Sequence, residues 1–430
     1  MAERHRSLGL LPRAVHAAWG WRLEAGLVCG SILLLRLFSL LGPGGDVLLV
    51  GTTAVVLWRV GPLRRRLGDQ LRQAAVARRI AKALVIAEVL GPYGFPKVGS
   101  SKPSPGGVRV QVRVPLGRHT GQLEEAAPTI AAALRAREVR VVRDPHDASL
   151  ATVEVLRRDP FARPPLAWPW ANAPQCSLWH PIPLGVDEVG RPVSVGLPEH
   201  NLLLGGEPGA GKSAVLSLLV AASALDPDVT LSLLDAKQVE LAPWNACAET
   251  FVGPDTERAV EVLENLRTEM DLRYQRLLAE GRRKIAPGDG MGIHVVAVDE
   301  LAFFLRGSKR AAREAFGEGL RDLVSRGRAA GIVVVAATQK PSHDVIPTSV
   351  RDLFSFRLAL RCTTPEASDT VLGQGWAAQG YSAALVDPAT RGVGLLLAEG
   401  GVPVKLRASY LDDEALFAVA RRAATLRREP

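Results

Sequence analysis

The sequence has 430 residues, with 53 Lys and Arg against 44 Asp and Glu for a formal charge of +9, and the basic excess is mostly arginine. That length holds two or three domains and a large core, so size excludes no class of function, while the basic balance suits phosphate backbones or anionic lipid head groups, a merely basic soluble protein being the alternative. The four cysteines, Cys29, Cys176, Cys247 and Cys362, stand far apart with no Cys-x-x-Cys pair, which indicates neither a disulfide framework nor a cysteine zinc site and fits a reducing compartment.

Residues 1–66 read as a basic N-terminus and a transmembrane helical hairpin. Arg4, Arg6, Arg13 and Arg22 precede two apolar runs, 25–41 and 47–58, and Arg59, Arg64, Arg65 and Arg66 follow them. The turn between the runs, Gly42-Pro43-Gly44-Gly45-Asp46, carries no basic residue, so the charge asymmetry places both ends in the cytoplasm and the chain at the cell membrane. Arg36 interrupts the first run; a cation there costs about 2.5–3.5 kcal/mol on insertion scales unless it snorkels or faces the partner helix. A single span, a cleaved signal peptide and a buried soluble hairpin are the alternatives. The signal peptide fits worst, because its basic region would be too long and no small-x-small cleavage site follows.

Residues 67–106 read as a helix, rich in Ala, Arg, Leu and Gln to about position 90, and then a Pro/Gly/Ser-rich linker. Residues 107–182 read as a small α+β domain and a connector. The run 108–114 alternates valine with polar or basic residues, the period of a half-exposed strand; 122–137 has helical spacing, with Pro128 leaving its start open; 139–143 and 151–155 are further strands. Six prolines and three tryptophans between 158 and 182 make an irregular connector, whose aromatics either pack on the next domain or stack on bases.

From residue 183 to about 410, short β-rich runs alternate with longer helical ones, the pattern of a mostly parallel sheet covered by helices. Expected strands are 202–204, 229–234, 294–298, 332–337, 356–360 and 393–397. After the first comes Gly206-Glu207-Pro208-Gly209-Ala210-Gly211-Lys212-Ser213, and then an apolar run compatible with a helix. Glycines at these positions let successive N–H groups and a helix N-terminus point at one triphosphate, Lys212 would meet its β- and γ-phosphates, and Ser213 would hold Mg²⁺; a plain glycine-rich turn is the alternative.

Ligands of such sheets sit at the carboxyl ends of strands. Those ends carry Asp235-Ala236-Lys237, Asp299-Glu300 and Thr338-Gln339. Asp299 would hold Mg²⁺, directly or through water, and Glu300 would polarise the water that attacks the γ-phosphate. Two exposed acids in a turn is the competing reading. Gln339 is placed to sense the γ-phosphate, unless it is an ordinary strand cap. The last stretch, 411–430, reads as one Arg-rich amphipathic helix.

Several separated motifs carry a resemblance to a known family. Beside the phosphate loop they are Leu184-Gly185-Val186-Asp187 with Pro192-Val193, Leu234-Asp235-Ala236-Lys237-Gln238-Val239-Glu240-Leu241, Met270-Asp271-Leu272-Arg273-Tyr274, Val298-Asp299-Glu300-Leu301-Ala302, Gly327-Arg328-Ala329-Ala330-Gly331-Ile332 and Ala337-Thr338-Gln339-Lys340-Pro341-Ser342. On these, residues 107–410 resemble the FtsK/SpoIIIE DNA translocases. The resemblance implies a RecA-like P-loop ATPase motor that uses ATP and Mg²⁺, works as a homo-hexamer around double-stranded DNA, and offers Arg328 in trans to its neighbour's nucleotide. Two basic loops are then candidates to line the pore, with Arg282, Arg283 and Lys284 in one and Lys340 in the other; a solvated loop is the alternative for each.

Phe303-Phe304, Lys340 and Asp352-Leu353-Phe354 depart from the family pattern without touching the hydrolysis residues. The layout, a short membrane region with no room for a sequence-reading winged helix after 410, favours the conjugative plasmid or integrative element type over chromosome segregation. The other functional readings are a protein-secretion motor, against which the single phosphate loop counts, and a membrane scaffold that binds nucleotide without turnover.

Overall fold

The computed structural model describes residues 61–91, 94–104, 106–162, 164–307, 309–339 and 348–427. The expected hairpin, the arginines that precede it, and Lys340 lie outside them. Among the described residues no helix is long and apolar enough to cross a membrane. The chain divides into two compact units, Met1–Asp159 and Pro160–Pro430.

The first unit has a four-stranded antiparallel sheet, ordered β1-β2-β4-β3, from β1 (Lys97–Ser104), β2 (Gly107–Arg113), β3 (Glu138–Arg143) and β4 (Leu150–Leu156). The valine face of β2, Val110 and Val112, is buried with Val153 and Val155. The opposite face keeps Arg109, whose guanidinium is 2.8 Å from the buried Glu154 carboxylate.

Two expectations change here. Half of the stretch read as linker is β1, an edge strand, where Pro103 is tolerated because an edge residue need not donate to a neighbour on both sides. The helix read over 122–137 is two, α2 (Thr120–Glu125) and α3 (Ala127–Leu134), the second with Pro128 in its first turn, where the missing N–H costs nothing. Helix α1 (Gly61–Ile86) contributes Ile80, Ala83 and Leu84 to this core.

The second unit is built on a ten-stranded sheet. Its strands are β5 (Ile182–Asp187), β6 (Pro192–Val195), β7 (Leu202–Gly205), β8 (Thr230–Leu234), β9 (Thr250–Val252), β10 (His294–Val298), β11 (Ile332–Thr338), β12 (Phe356–Leu360), β13 (Val393–Leu397) and β14 (Val404–Ala408), in the order β6-β5-β14-β13-β12-β7-β11-β10-β8-β9. Every pair from β12 to β9 is parallel; the pairs from β6 to β12 are antiparallel.

Alternate residues of the parallel strands enter two cores. Leu202, Leu204, Val333 and Val335 face α4 (Lys212–Ala224) and α10 (Asp413–Leu426), while Leu203, Val334 and Ala336 face α5 (Thr256–Ala279) and α7 (Arg310–Ala330). Burial on both faces explains why these strands are continuous apolar runs in the sequence. The smaller helices are α6 (Leu301–Leu305), α8 (Thr348–Arg351) and α9 (Pro365–Leu372). In the connector, Trp168 is buried and its indole N–H donates to the Pro183 carbonyl at 3.0 Å, so this aromatic packs instead of being free to stack.

One polar chain crosses the core. His294 Nε2 is 2.9 Å from Ser232 Oγ and Nδ1 is 3.2 Å from Glu269 Oε2, while Arg273 Nη2 is 2.6 Å from Glu269 Oε1. The His294 hydrogen bond first, and then the Arg273 charge, outweigh burial and pull the Glu269 carboxyl from 4.5 to about 2. Because the folded value lies below the ordinary one, this stabilisation is whole above pH 4.5 and disappears as pH falls toward 2. Glu269→Gln should therefore lose less stability than the wild type between those values in urea titrations; equal losses would contradict the assignment.

Candidate nucleotide site

The loop after β7 closes on itself. Lys212 is buried at the start of α4, and its Nζ donates to the Glu207 carbonyl at 3.1 Å. Burial lowers its pKa, with the carboxylates of Glu300 and Asp299 opposing that. Gly211 has φ +104°, and a Cβ there would lie 2.8 Å from the Gly392 nitrogen, whose N–H donates to the Ala210 carbonyl at 2.9 Å. Only glycine combines that backbone with that approach. A deep N-terminus of α4 with Gly209 and Gly211 both at positive φ is a nest of N–H groups suited to phosphate oxygens.

The other groups reach the same edge because β7, β8, β10, β11 and β12 run parallel. Asp299 and Glu300 follow β10, and β11 lies between β10 and β7, which puts Thr338 and Gln339 between the carboxylates and the phosphate loop. Glu300 accepts from Thr338 Oγ1 at 3.0 Å and from the Gln339 backbone N–H at 3.2 Å. The carboxylate is thus aimed by the end of β11. Gln339 meets Glu300 through its main chain.

Asp299 is buried and receives Lys237 Nζ at 3.3 Å. Burial pushes its carboxyl up to about 6 against the pull of Lys237. Ser213 and Asp299 fit a magnesium ion: both offer oxygen, and a carboxyl raised by burial gains from a further cation.

Three residues of this edge were not among the expected site residues. Arg361 and Thr363 follow β12: the Thr363 hydroxyl donates to Glu207 Oε2 at 2.8 Å, the Arg361 guanidinium pairs with the same carboxylate, and the Arg361 carbonyl accepts the Glu207 N–H at 3.0 Å. The Thr363 hydrogen bond, followed by Arg361, lowers the Glu207 pKa. Lys237 is the third, held in a turn whose N–H groups at 237, 238 and 241 all donate to the buried Asp235 carboxylate. The rule of carboxyl ends, applied to 356–360, signals Arg361 and Thr363.

Arg328 stands elsewhere. It lies in the last turn of α7, before β11 begins, with its Nη2 at 3.2 Å from the Glu399 carboxylate. The seven residues of β11 separate it from the phosphate-loop edge, about 23 Å at roughly 3.3 Å per residue. That is beyond an arginine's reach, so Arg328 cannot serve its own chain's loop. The basic loop 281–292 leaves at the same far edge. There Arg282 is paired with Asp289 at 2.5 Å and Glu280 at 3.0 Å, Lys284 with Glu199 at 2.5 Å, and Arg283 is exposed.

The profile of the FtsK/SpoIIIE family matches residues 175–392, which is more than half of the chain. The chain belongs to the FtsK/SpoIIIE family. It is 26% identical over 374 residues to the DNA translocase FtsK of Staphylococcus epidermidis, a match covering 77% of this chain and 44% of that protein. Against the DNA translocase FtsK of Halalkalibacterium halodurans it is 27% identical over 355 residues, 76% of this chain and 43% of that one. The match therefore spans less than half the length of these FtsK relatives.

Among solved structures, the pCW3 conjugation coupling protein TcpA with ATPγS superposes with a TM-score of 0.54 at 18% identity, over 82% of this chain and 99% of that one. EssC (ATPases 2 and 3) from Geobacillus thermodenitrificans does so with 0.50 at 20% identity, over 61% and 51%. At these identities the FtsK/SpoIIIE chain shares their fold.

Proposed function

We propose that this chain is a membrane-anchored, ATP-driven translocase of double-stranded DNA that works as a homo-hexameric ring, its motor in the cytoplasm, in conjugative transfer of a plasmid or integrative element. The observation that carries the reading is the division of the site. Lys212, Ser213, Asp299 and Glu300 converge at one edge of the sheet, whereas Arg328 stands at the opposite edge of the same chain. A ring, in which each chain's far edge meets the next chain's phosphate loop, completes it.

In that site Lys212 and the N–H groups of the loop bind the β- and γ-phosphates, Glu300 orients the attacking water from its seat on Thr338 and Gln339, and the neighbour's Arg328 meets the charge that develops on the transferred phosphoryl. Bound Mg²⁺ supplies charge neutralisation of the phosphate oxygens. The duplex is assigned on the family, on relatives named DNA translocases, and on the basic balance of the chain.

ATP hydrolysis by the whole chain, with and without linear duplex, tests the assignment. Duplex is expected to stimulate hydrolysis, more at low salt than at high. An active ATPase indifferent to duplex would contradict it and turn attention to a protein cargo.

A further inference from the structure

The motif Met270-Asp271-Leu272-Arg273-Tyr274 lies on α5 and touches neither phosphate loop nor carboxylates, and its function follows from what it holds. A helix ends with four carbonyls that have no partner within it. At the end of α7 each of the four has one: Gly327 and Arg328 receive the Gly331 N–H, Ala329 receives the Ile285 N–H at 3.0 Å, and Ala330 receives Arg273 Nη1 at 2.7 Å. One residue earlier, the Arg326 carbonyl accepts the Tyr274 hydroxyl. Arg273 Nη1 also reaches the Gly292 carbonyl at 2.7 Å, just before β10, and its other arm is fixed by Glu269. Gly331 has φ +74°, and a Cβ there would fall 2.1 Å from Ile285 Cδ1 and 3.3 Å from Arg273 Nη1, so the cap admits no side chain.

An exposed arginine on an ordinary helix end would fray with it. Here the backbone on both sides of Arg328 is pinned to α5, and the guanidinium is steadied by Glu399. We propose that Arg273 and Tyr274 are positioning residues that hold the last turn of α7 so that Arg328 is presented, already ordered, to the nucleotide of the next chain. The proposal rests on the trans reading of Arg328. It assigns the motif to catalysis in the neighbouring subunit rather than in its own, since a displacement of about 1 Å in a catalytic group can cost on the order of a hundredfold in rate.

Mixed rings test this. Arg273→Lys keeps the charge but loses the planar fork that serves the Gly292 and Ala330 carbonyls from one nitrogen and Glu269 from the other; Tyr274→Phe keeps the ring and loses the hydroxyl. Both are expected to bind a fluorescent ATP analogue as the wild type does, with kcat lowered about tenfold to a hundredfold for Arg273→Lys and less for Tyr274→Phe, and KM little changed. Co-assembly with Lys212→Ala chains, inactive alone, should restore hydrolysis, because those chains offer a well-held Arg328 to the intact phosphate loops beside them.

A defect confined to folding or to the chain's own site would not be rescued in this way. Wild-type rates in both variants, or a loss that Lys212→Ala chains do not rescue while they do rescue Arg328→Ala, would overturn the positioning role alone. A wild-type rate in Arg328→Ala would overturn the trans reading beneath it, and this proposal with it.

Discussion

Arg328→Ala is expected to bind ATP with unchanged affinity and to hydrolyse it about a thousandfold more slowly, the lower end of what an arginine supplied in trans contributes to phosphoryl transfer. Binding is spared because the residue is separated from its own chain's phosphate loop by the whole length of β11. Hydrolysis is lost because the charge spreading over the transferred phosphoryl then meets no guanidinium. The fold should survive, since Arg328 is partly exposed and its partner Glu399 more so; an exposed pair contributes at most about 1 kcal/mol. Isothermal titration with a slowly hydrolysed ATP analogue, beside a phosphate-release assay, separates the two effects. Weakened binding together with slow hydrolysis would place Arg328 in the cis site and contradict the division of labour.

Lys212→Ala should have the opposite profile: ATP binding lost, and with it hydrolysis, by a factor of about a thousand or more. Its thermal midpoint is expected to rise slightly. Lys212 is buried, and burial lowers its pKa, so the nucleotide-free fold holds an ammonium in a place that disfavours charge. Its hydrogen bond to the Glu207 carbonyl offsets only part of that cost. Such a residue is kept for the ligand at the expense of the empty fold, a trade seen where sites are built for function. Differential scanning calorimetry without nucleotide checks the sign; a clear fall in midpoint would mean that Lys212 is a structural cation.

The parts legible in the sequence were those whose physics is local. Strands such as 332–338 are buried on both faces by the covering helices and therefore read as unbroken apolar runs. The phosphate loop is local as well, because three glycines, a lysine and a serine must be adjacent to wrap one ligand. What escaped depends on pairing at a distance. β5 and β14 meet through Gly185 and Ala408, and neither run is apolar enough to announce a strand. β1 hides behind a Pro/Gly/Ser composition that only an edge position tolerates.

Arg361 and Thr363 look like ordinary surface residues until the parallel register of β12 and β7 brings their loop to one edge; for Lys237 the strand end is legible in the sequence, and its pairing with Asp299 is not. Arg282 shows the converse. In sequence it is a candidate for a phosphate backbone or a solvated cation, and closure of the loop 281–292 places Asp289 and Glu280 on it, pairings that the sequence does not announce.

The central claim, that hydrolysis in this ring moves duplex DNA, is tested most directly by displacement of a third strand annealed to a linear duplex. Wild-type chain with ATP and magnesium is expected to strip the third strand, with Lys212→Ala and Arg328→Ala both inert. Brisk ATP hydrolysis by the wild type on that duplex with the third strand left in place would contradict the account.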